Sequence, residues 1–231
     1  MKEKQIQELN EIVKRSYDLT ADHFNATRSK MAAADFLWAA ERINSNDKVL
    51  DAACGNGRLL DYVDISADSY LGIDANDRLI KIAKANYPKY NFHCLNLEAV
   101  TSLKERKFTR IFCSAAIIHI PGEAERLKLL KDFQMISSAE AKLIISAWKM
   151  TGKYYYKLKL KSIVTSIFRF KFKTWRDLVF PWLDQDGNKL GLRYYHLFSL
   201  SGLKKELMAA NWQIEETLND RHNFWFVAVK K

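Results

Sequence analysis

The chain has 231 residues, of which 48% are hydrophobic and 13% aromatic. This composition supports a sizeable core and excludes a disordered chain, and eight glycines and three prolines exclude collagen-like or linker-rich architectures. No apolar run is long enough to cross a bilayer, and the charged N-terminal region is unlike a secretory signal. Three cysteines without CxxC spacing predict neither a disulfide framework nor a metal site. We therefore expect a soluble, cytoplasmic protein that does not associate with membranes.

The net charge of +10 is concentrated in one segment. Nine of the 37 basic residues, and none of the 27 acidic ones, lie between Lys149 and Arg176, so the rest of the chain is almost neutral. A localised basic patch is typical of a surface that binds a polyanion. An ordinary solvated face produces the same pattern.

Strand and helix patterns alternate along most of the chain. Residues 3–43 have apolar residues at helical spacing, with a predicted break near Tyr17–Thr27. The predicted strands are 48–51, 70–74, 90–95, 110–118, 141–148, 212–218 and 223–230, and the predicted helices are 58–63, 77–86, 123–137 and 201–210. The alternation predicts right-handed βαβ units and a mostly parallel sheet. A basic and aromatic stretch at 149–195 interrupts it, which indicates one α/β domain with an inserted subdomain.

The strongest chemical signal is the turn that follows the first strand. Asp51 ends the strand, and Gly55 and Gly57 follow it; glycine lets a backbone approach a ligand closely. Asp74 ends the second strand, where a carboxylate can accept hydrogen bonds from both hydroxyls of a ribose. A nicotinamide-binding turn would have a third glycine and a pyrophosphate, which Asp51 would repel. An acid here suits the ammonium of an amino acid, so the pattern favours S-adenosylmethionine.

Six segments carry a resemblance to a known family. In chain order they are Asp22–Arg28, Asp51–Arg58, Ala115–His119, Asp177–Trp182, Arg193–Phe198 and Asp220–Phe226. With them the chain resembles class I S-adenosylmethionine-dependent methyltransferases, and more narrowly the tRNA wobble-uridine carboxymethyl methyltransferases. That family includes the methyltransferase domain of an AlkB-homologue tRNA enzyme. The Arg-Tyr-Tyr-His-Leu-Phe segment is the specific part of the resemblance.

The resemblance implies an α/β Rossmann-like fold with a seven-stranded sheet, an antiparallel last strand and helices on both faces. It implies a single domain, divided into an N-terminal helical cap (1–45), a cofactor-binding core (46–148), a basic substrate-binding insert (149–195) and the end of the core (196–231). The implied reaction is methyl esterification of 5-carboxymethyluridine in the anticodon stem-loop of tRNA. A small zinc-binding activator protein is the implied partner.

Candidate site residues fall into three groups. The candidate cofactor-binding residues are Asp51, Ala53, Cys54, Gly55, Gly57, Asp74, Ala75, Asn96, Leu97 and Ala115. The candidate catalytic residues are Arg193, His119, Arg28, Tyr194 and His196. The candidate RNA-binding residues are Lys153, Lys157, Lys159, Lys161, Arg169, Lys171 and Lys173. Arg193 is the leading candidate to hold a carboxylate, because a guanidinium pairs with it in a planar fork.

The chain departs from the family pattern in a few places. Ala53 stands where the family turn has glycine, Asn96 where an Asp often meets the adenine, Thr109 where an Asp follows the Phe of the fourth strand, and Ile118 where the first of two histidines stands. Two other readings stay open. One is a methyltransferase for a small carboxylate or another metabolite, and the other is a catalytically silent RNA-binding scaffold.

Overall fold

The computed structural model describes residues 1–28, 34–149, 176–183 and 187–231. The helices are α1 (Glu3–Arg28), α2 (Ala34–Ala40), α3 (Asp77–Asn86), α4 (Glu123–Ile136) and α5 (Leu200–Ala209). The strands are β1 (Val49–Ala52), β2 (Tyr70–Asp74), β3 (Asn91–Cys94), β4 (Phe108–Cys113), β5 (Ser137–Trp148), β6 (Asp177–Leu183), β7 (Lys189–His196), β8 (Trp212–Asn219) and β9 (Asn223–Lys230). Among these residues, no helix is long and apolar enough to cross a membrane.

Seven strands form the main sheet in the order β3-β2-β1-β4-β5-β9-β8. The strands from β3 to β5 run parallel, and β9 pairs antiparallel with both β5 and β8. This arrangement confirms the predicted mostly parallel sheet with an antiparallel last strand. Because parallel strands end at one edge, the loops after β1, β2 and β4 meet there, where open α/β sheets bind ligands.

Helices cover both faces of this sheet, as predicted. On one face, α4, α5 and a 3₁₀ segment at Leu97–Arg106 pack against residues such as Ile145. On the other face, α2, α3 and a 3₁₀ turn at Arg58–Asp61 pack against residues such as Ile144. Alternate side chains of β5 therefore belong to two different cores, which explains why its central run Leu143–Ile145 is apolar. At the opposite edge the connections are short, and Ser137 of β5 directly follows Ile136 of α4.

The second sheet is a two-stranded antiparallel ribbon of β6 and β7. It lies between α1 and the main domain: Leu9 of α1 packs on Val179 and Tyr194, and Tyr195 joins the main core. Because adjacent residues on a strand point to opposite faces, only one of Tyr194 and Tyr195 would be expected from the sequence to be buried. Both are, because each face of the ribbon is covered. The boundaries assigned to cap, core and insert stay predictions.

Three local predictions were wrong. No break interrupts the N-terminal helix near Tyr17–Thr27, since α1 runs without interruption to Arg28. The helix expected at 58–63 is a single 3₁₀ turn over Arg58–Asp61. The fourth strand ends at Cys113, and the apolar residues beyond it form the loop that leads to a 3₁₀ turn at Ile117–His119.

Candidate active site

Asp51 is a nearly buried carboxylate at the end of β1. Its side chain is 4% exposed, and the Tyr70 hydroxyl donates a hydrogen bond of 2.8 Å to its Oδ2. Burial, together with the nearby charge of Asp74, raises the pKa of Asp51 to about 7 although the Tyr70 hydrogen bond opposes this. A cation placed beside Asp51 would stabilise the ionised carboxylate and lower this pKa again.

Asp74, at the end of β2, holds the backbone of two loops. Its Oδ2 accepts a hydrogen bond from Gly55 N at 2.9 Å, and its Oδ1 accepts one from Asn76 N at 2.8 Å. Burial raises the pKa of Asp74, and these two hydrogen bonds reduce the shift. A carboxylate oxygen has more than one acceptor site, so Asp74 can also accept hydrogen bonds from ligand hydroxyls. Ala75 follows it and is exposed.

The turn after β1 contains three left-handed residues. Ala53, Gly55 and Gly57 have φ values of 62°, 58° and 82°. A Cβ on Gly57 would lie 3.0 Å from ring atoms of both Tyr87 and Phe92, so glycine is required there for space as well as conformation. Ala53 occupies a conformation that costs an alanine about 1–2 kcal/mol. Strain of this size is typical of functional sites.

The loops after β3 and β4 complete the sheet edge. Asn96 begins the 3₁₀ segment Leu97–Arg106, and its Oδ1 accepts a hydrogen bond from Glu98 N at 3.1 Å. Leu97 beside it is 8% exposed. Ala115 is also left-handed, with φ 52°, and its N donates to Ser146 Oγ at 2.9 Å. Asn96 is exposed and follows the end of β3 by two residues.

Helix α1 contacts these loops through polar side chains. Asn56 Nδ2 of the glycine turn donates to Asn25 Oδ1 at 2.8 Å, and Asn76 Nδ2 donates to Asp18 Oδ1 at 2.8 Å. The Tyr17 hydroxyl lies 2.8 Å from His119 Nε2. The helix therefore lies over the carboxyl edge of the sheet, bonded to the loops after β1, β2 and β4.

His119 is neutral in this environment. Burial and, to a smaller degree, the nearby Arg193 cation lower its pKa to about 4, although the contact with the Tyr194 carbonyl opposes this. Its Nδ1 lies 3.3 Å from Tyr194 O, which can only accept, so we assign the ring proton to Nδ1. His119 Nε2 then accepts the hydrogen bond from the Tyr17 hydroxyl. A histidine with so low a pKa suits positioning better than proton abstraction.

Arg193 on β7 is held against aromatic rings. Its guanidinium carbon lies 3.4 Å from the centroid of the Trp182 ring, and its Nη1 donates to the Tyr195 hydroxyl at 3.4 Å. Its Nε is buried and has no hydrogen-bond partner among the described residues. The Tyr195 ring in turn meets His119, with centroids 4.8 Å apart. A cation with an unpaired donor thus lies next to His119.

The side chains of Tyr194 and His196 do not face Arg193 and instead contact Asp177. The Tyr194 hydroxyl donates to Asp177 Oδ1 at 2.6 Å, and His196 Nδ1 lies 2.8 Å from the same oxygen. Burial would raise the pKa of Asp177, but these two hydrogen bonds together with nearby positive charge, including that of Arg126, lower the pKa below its usual value. The pair therefore supports the base of the ribbon, and the side chains face away from Tyr195 because neighbouring residues on a strand alternate.

The remaining sequence-predicted residues divide into two sets. Cys54 is buried in the glycine turn, where desolvation raises the pKa of its thiol, so it packs as an inert side chain. The side chain of Arg28 lies outside the described part of the chain. The seven candidate RNA-binding residues also lie outside it: Lys153, Lys157, Lys159, Lys161, Arg169, Lys171 and Lys173.

Sequence reasoning missed Tyr17, Trp182 and Asn56 as site residues. Trp182 stood in a segment that carried the family resemblance, and that resemblance was the only signal available. Tyr17 stood in the predicted helix break. Asn56 lies between the two turn glycines and is 4% exposed. Only the folded positions bring these side chains together.

The residues present fit S-adenosylmethionine. Asn56 Oδ1 is buried and has no hydrogen-bond partner among the described residues, so an acceptor is available on the glycine turn. Together with Asp51 it suits an ammonium, and Asp74 suits a ribose. The acidic groups leave no place for a pyrophosphate, which agrees with the sequence argument against a dinucleotide.

Comparisons with known proteins agree with this geometry. A family model described as a methyltransferase domain matches residues 49–137. A tRNA (carboxymethyluridine(34)-5-O)-methyltransferase from Schizosaccharomyces pombe is 25% identical over 96% of this chain and 97% of its own length. The enzyme of that name from Arabidopsis thaliana is 30% identical over 59% of this chain, and that similarity spans 32% of its length. A SAM-dependent methyltransferase structure from Methanosarcina mazei has a TM-score of 0.64 and 20% identity, over 82% of this chain and 95% of that one.

Fold, cofactor site and comparisons together define a class I methyltransferase that uses S-adenosylmethionine. Within this class, one similarity that extends over almost the whole chain is to the tRNA (carboxymethyluridine(34)-5-O)-methyltransferase of fission yeast.

Proposed function

We propose that the protein methylates the carboxylate of 5-carboxymethyluridine at the wobble position of a tRNA, which gives the methyl ester. The observation that carries the proposal is the position of Arg193. Its guanidinium lies against Trp182 and beside His119, with Nε unpaired among the described residues, at the edge where the cofactor turn lies. The names of the fission yeast and plant relatives support the choice of substrate.

This reaction needs no strong base. A carboxylic acid with an ordinary pKa near 4 is already ionised at neutral pH. When bound, S-adenosylmethionine supplies a methyl group on a sulfonium, and a carboxylate oxygen forms the new C–O bond as the S–CH₃ bond breaks and its electrons go to sulfur. A neutral His119 with a low pKa is compatible with such chemistry, because no proton has to be removed.

The chain's own residues supply binding and orientation. Asp51 and Asn56 would hold the cofactor's ammonium, and Asp74 its ribose. Arg193 would hold the substrate carboxylate in a fixed plane, because Trp182 supports the guanidinium from one side. Orientation of this kind can contribute about 7–11 kcal/mol to lowering a barrier. The aromatic side chains Tyr17, Trp182 and Tyr195 would exclude water from the carboxylate.

We also propose the partners and location that the sequence implied. A tRNA anticodon stem-loop would bind the basic segment 149–176, which contains nine basic residues and no acidic ones. A small zinc-binding activator protein would form the complex in the cytoplasm. These proposals depend on the resemblance and on the charge of the segment.

The test is mass spectrometry of tRNA nucleosides after incubation with S-adenosylmethionine, with the activator supplied. The expected result is conversion of 5-carboxymethyluridine to its methyl ester. The matched control is Asp74→Ala, which should abolish both cofactor binding and conversion. An unchanged 5-carboxymethyluridine pool with a cofactor-loaded enzyme would contradict the proposal.

A second candidate is methylation of a small carboxylate, which the Arg193 clamp could also hold. That activity would proceed without RNA, and neutralising Lys157, Lys159 and Lys161 together would leave it unchanged. The tRNA activity should fall in the same triple variant. The two functions therefore give opposite results with one protein.

A further inference from the structure

The turn between β8 and β9 extends beyond the carboxyl end of β5. Trp148 at the end of β5 pairs with Asn223 at the start of β9, so residues 220–222 lie past the sheet edge. The Trp148 ring meets Tyr195, with centroids 5.3 Å apart, and Tyr195 meets His119. The turn therefore lies at the same edge as the active site.

Several hydrogen bonds fix the turn to the end of β5. Lys149 N donates to His222 O at 2.7 Å, and Lys149 Nζ donates to Asn219 Oδ1 at 2.6 Å and to Asp220 O. On the far side, Asn223 Nδ2 donates to Asp35 of α2 at 2.5 Å. A turn with so many anchors presents its remaining side chains in a defined position.

The outward side chains of this turn are basic. The Asp220 carboxylate turns back onto its own loop, and hydrogen bonds from the backbone N–H groups of Arg221 and His222 lower its pKa. Arg221 and His222 are both exposed, and neither forms an ion pair within the described parts of the chain. Lys149 is also the first cation of the basic segment 149–176. The turn is therefore hydrogen-bonded to Lys149, the residue at which that segment begins.

We propose that the β8–β9 turn is a phosphate-binding subsite for the RNA substrate, in which Arg221 contacts the backbone and His222 assists. This inference rests on the proposed function. A guanidinium is suited to the task because it binds phosphate oxygens in a planar fork. Phosphate contacts position a nucleic acid without reading its sequence, so this subsite sets the orientation of the stem-loop over the active site.

The test measures binding of a fluorescent tRNA anticodon stem-loop to the full chain between about 50 and about 200 mM salt. Arg221→Glu is the test variant, and Arg221→Lys keeps the charge. The matched control is Arg106→Glu, an exposed arginine at the end of the 3₁₀ segment Leu97–Arg106, at the opposite edge of the sheet. Calorimetry with S-adenosylmethionine checks that each variant retains its cofactor site.

The expected result is weaker binding by Arg221→Glu, with the slope of log K against log salt reduced by about 0.7–0.9, which corresponds to one lost phosphate contact. Arg221→Lys should retain most of the affinity, and Arg106→Glu all of it. Binding of S-adenosylmethionine should be the same in all three variants and the wild type. Equal slopes for wild type and Arg221→Glu would overturn the subsite alone, whereas a wild-type protein that binds no RNA would overturn the proposed function as well.

Discussion

The Tyr17 hydroxyl and His119 Nε2 are 2.8 Å apart, although 102 residues separate them in the chain. This hydrogen bond joins α1 to the loop after β4. Because His119 Nδ1 faces the Tyr194 carbonyl, the same ring also reaches the ribbon that carries Arg193. His119 thus connects the helix over the site with the strand that holds the proposed carboxylate-binding group.

Tyr17→Phe should lower stability and loosen α1. The change removes the donor to His119 Nε2 in a largely desolvated place, which costs about 1–3 kcal/mol. Denaturant unfolding measures the loss, and hydrogen exchange in α1 should become faster. Tyr62→Phe is the control, because the Tyr62 hydroxyl makes no hydrogen bond in the part of the chain that the structure describes. Equal losses of unfolding free energy in the two variants would show that the Tyr17–His119 hydrogen bond does not stabilise the protein.

Cofactor affinity should depend on pH through Asp51. Its pKa is raised to about 7, so the carboxyl is protonated below this pH in the free protein, whereas a bound ammonium favours the ionised form. Binding then releases a proton, and affinity falls by up to about tenfold for each pH unit below 7. Calorimetry in buffers of different ionisation enthalpy measures this. Asp51→Asn should bind weakly at every pH, and a wild-type affinity that is flat from pH 5 to about 8 would refute the assignment.

Asp51 should also make the free protein less stable as the pH rises. A carboxyl group with a raised pKa binds its proton more tightly in the folded state than in the unfolded one, so stability is lost between the unfolded pKa of 3.8 and the folded value of about 7. Asp51→Asn removes this dependence. As the pH rises through this range, the free energy of unfolding of the wild type should fall relative to that of Asp51→Asn. Parallel curves for the two proteins would contradict the raised pKa of Asp51.

Ala53→Gly should stabilise the protein. Removing the left-handed strain of Ala53 should raise the free energy of unfolding by about 1–2 kcal/mol. The greater conformational freedom of glycine in the unfolded chain should offset about 0.5–1 kcal/mol of this gain. The urea midpoint should therefore rise with an unchanged m-value. The neighbouring Ala52→Gly is the control, because Ala52 is buried in β1 and its change should only destabilise. A lower midpoint for Ala53→Gly would mean that the methyl group packs favourably.

Arg193→Lys should impair methylation without affecting the cofactor. Lysine keeps the charge but loses the planar fork and its stacking on Trp182, so kcat/KM should fall by about 10–100-fold, the equivalent of roughly 1–3 kcal/mol. Steady-state kinetics with the tRNA substrate measures this, and calorimetry should give wild-type S-adenosylmethionine binding. Wild-type turnover by Arg193→Lys would show that a point charge is sufficient at this position.

The sheet and the glycine turn were predictable because their signals are local. Short apolar strands alternate with helical patterns, and the carboxylates of Asp51 and Asp74 end two of these strands. The residues after Cys113 misled the prediction, since a buried apolar loop has the same composition as a buried strand. Composition alone does not distinguish the two.

The N-terminal helix shows why the other features of the site could not be predicted from the sequence. Its second half looked like a break because Asp18 and Asn25 are polar where a core-facing helix is apolar. These side chains face polar loops instead, where they accept hydrogen bonds from Asn76 and Asn56. Likewise, the positions of Tyr194 and Tyr195 depend on α1 and the main sheet covering opposite faces of the ribbon. No local pattern contains such long-range pairings.

No residue lies between α4 and β5, and this limits where the fold can accept added length. The rim where Ser137 directly follows Ile136 has no loop, and the extra length of β5 there lies within the strand, between its pairings Phe108–Ser137 and Arg110–Lys142. The other rim tolerates length, as the 28 residues between Trp148 and Asp177 demonstrate. Residues added at the carboxyl rim can therefore change what the enzyme binds without altering the strand pairing beneath the methyl donor.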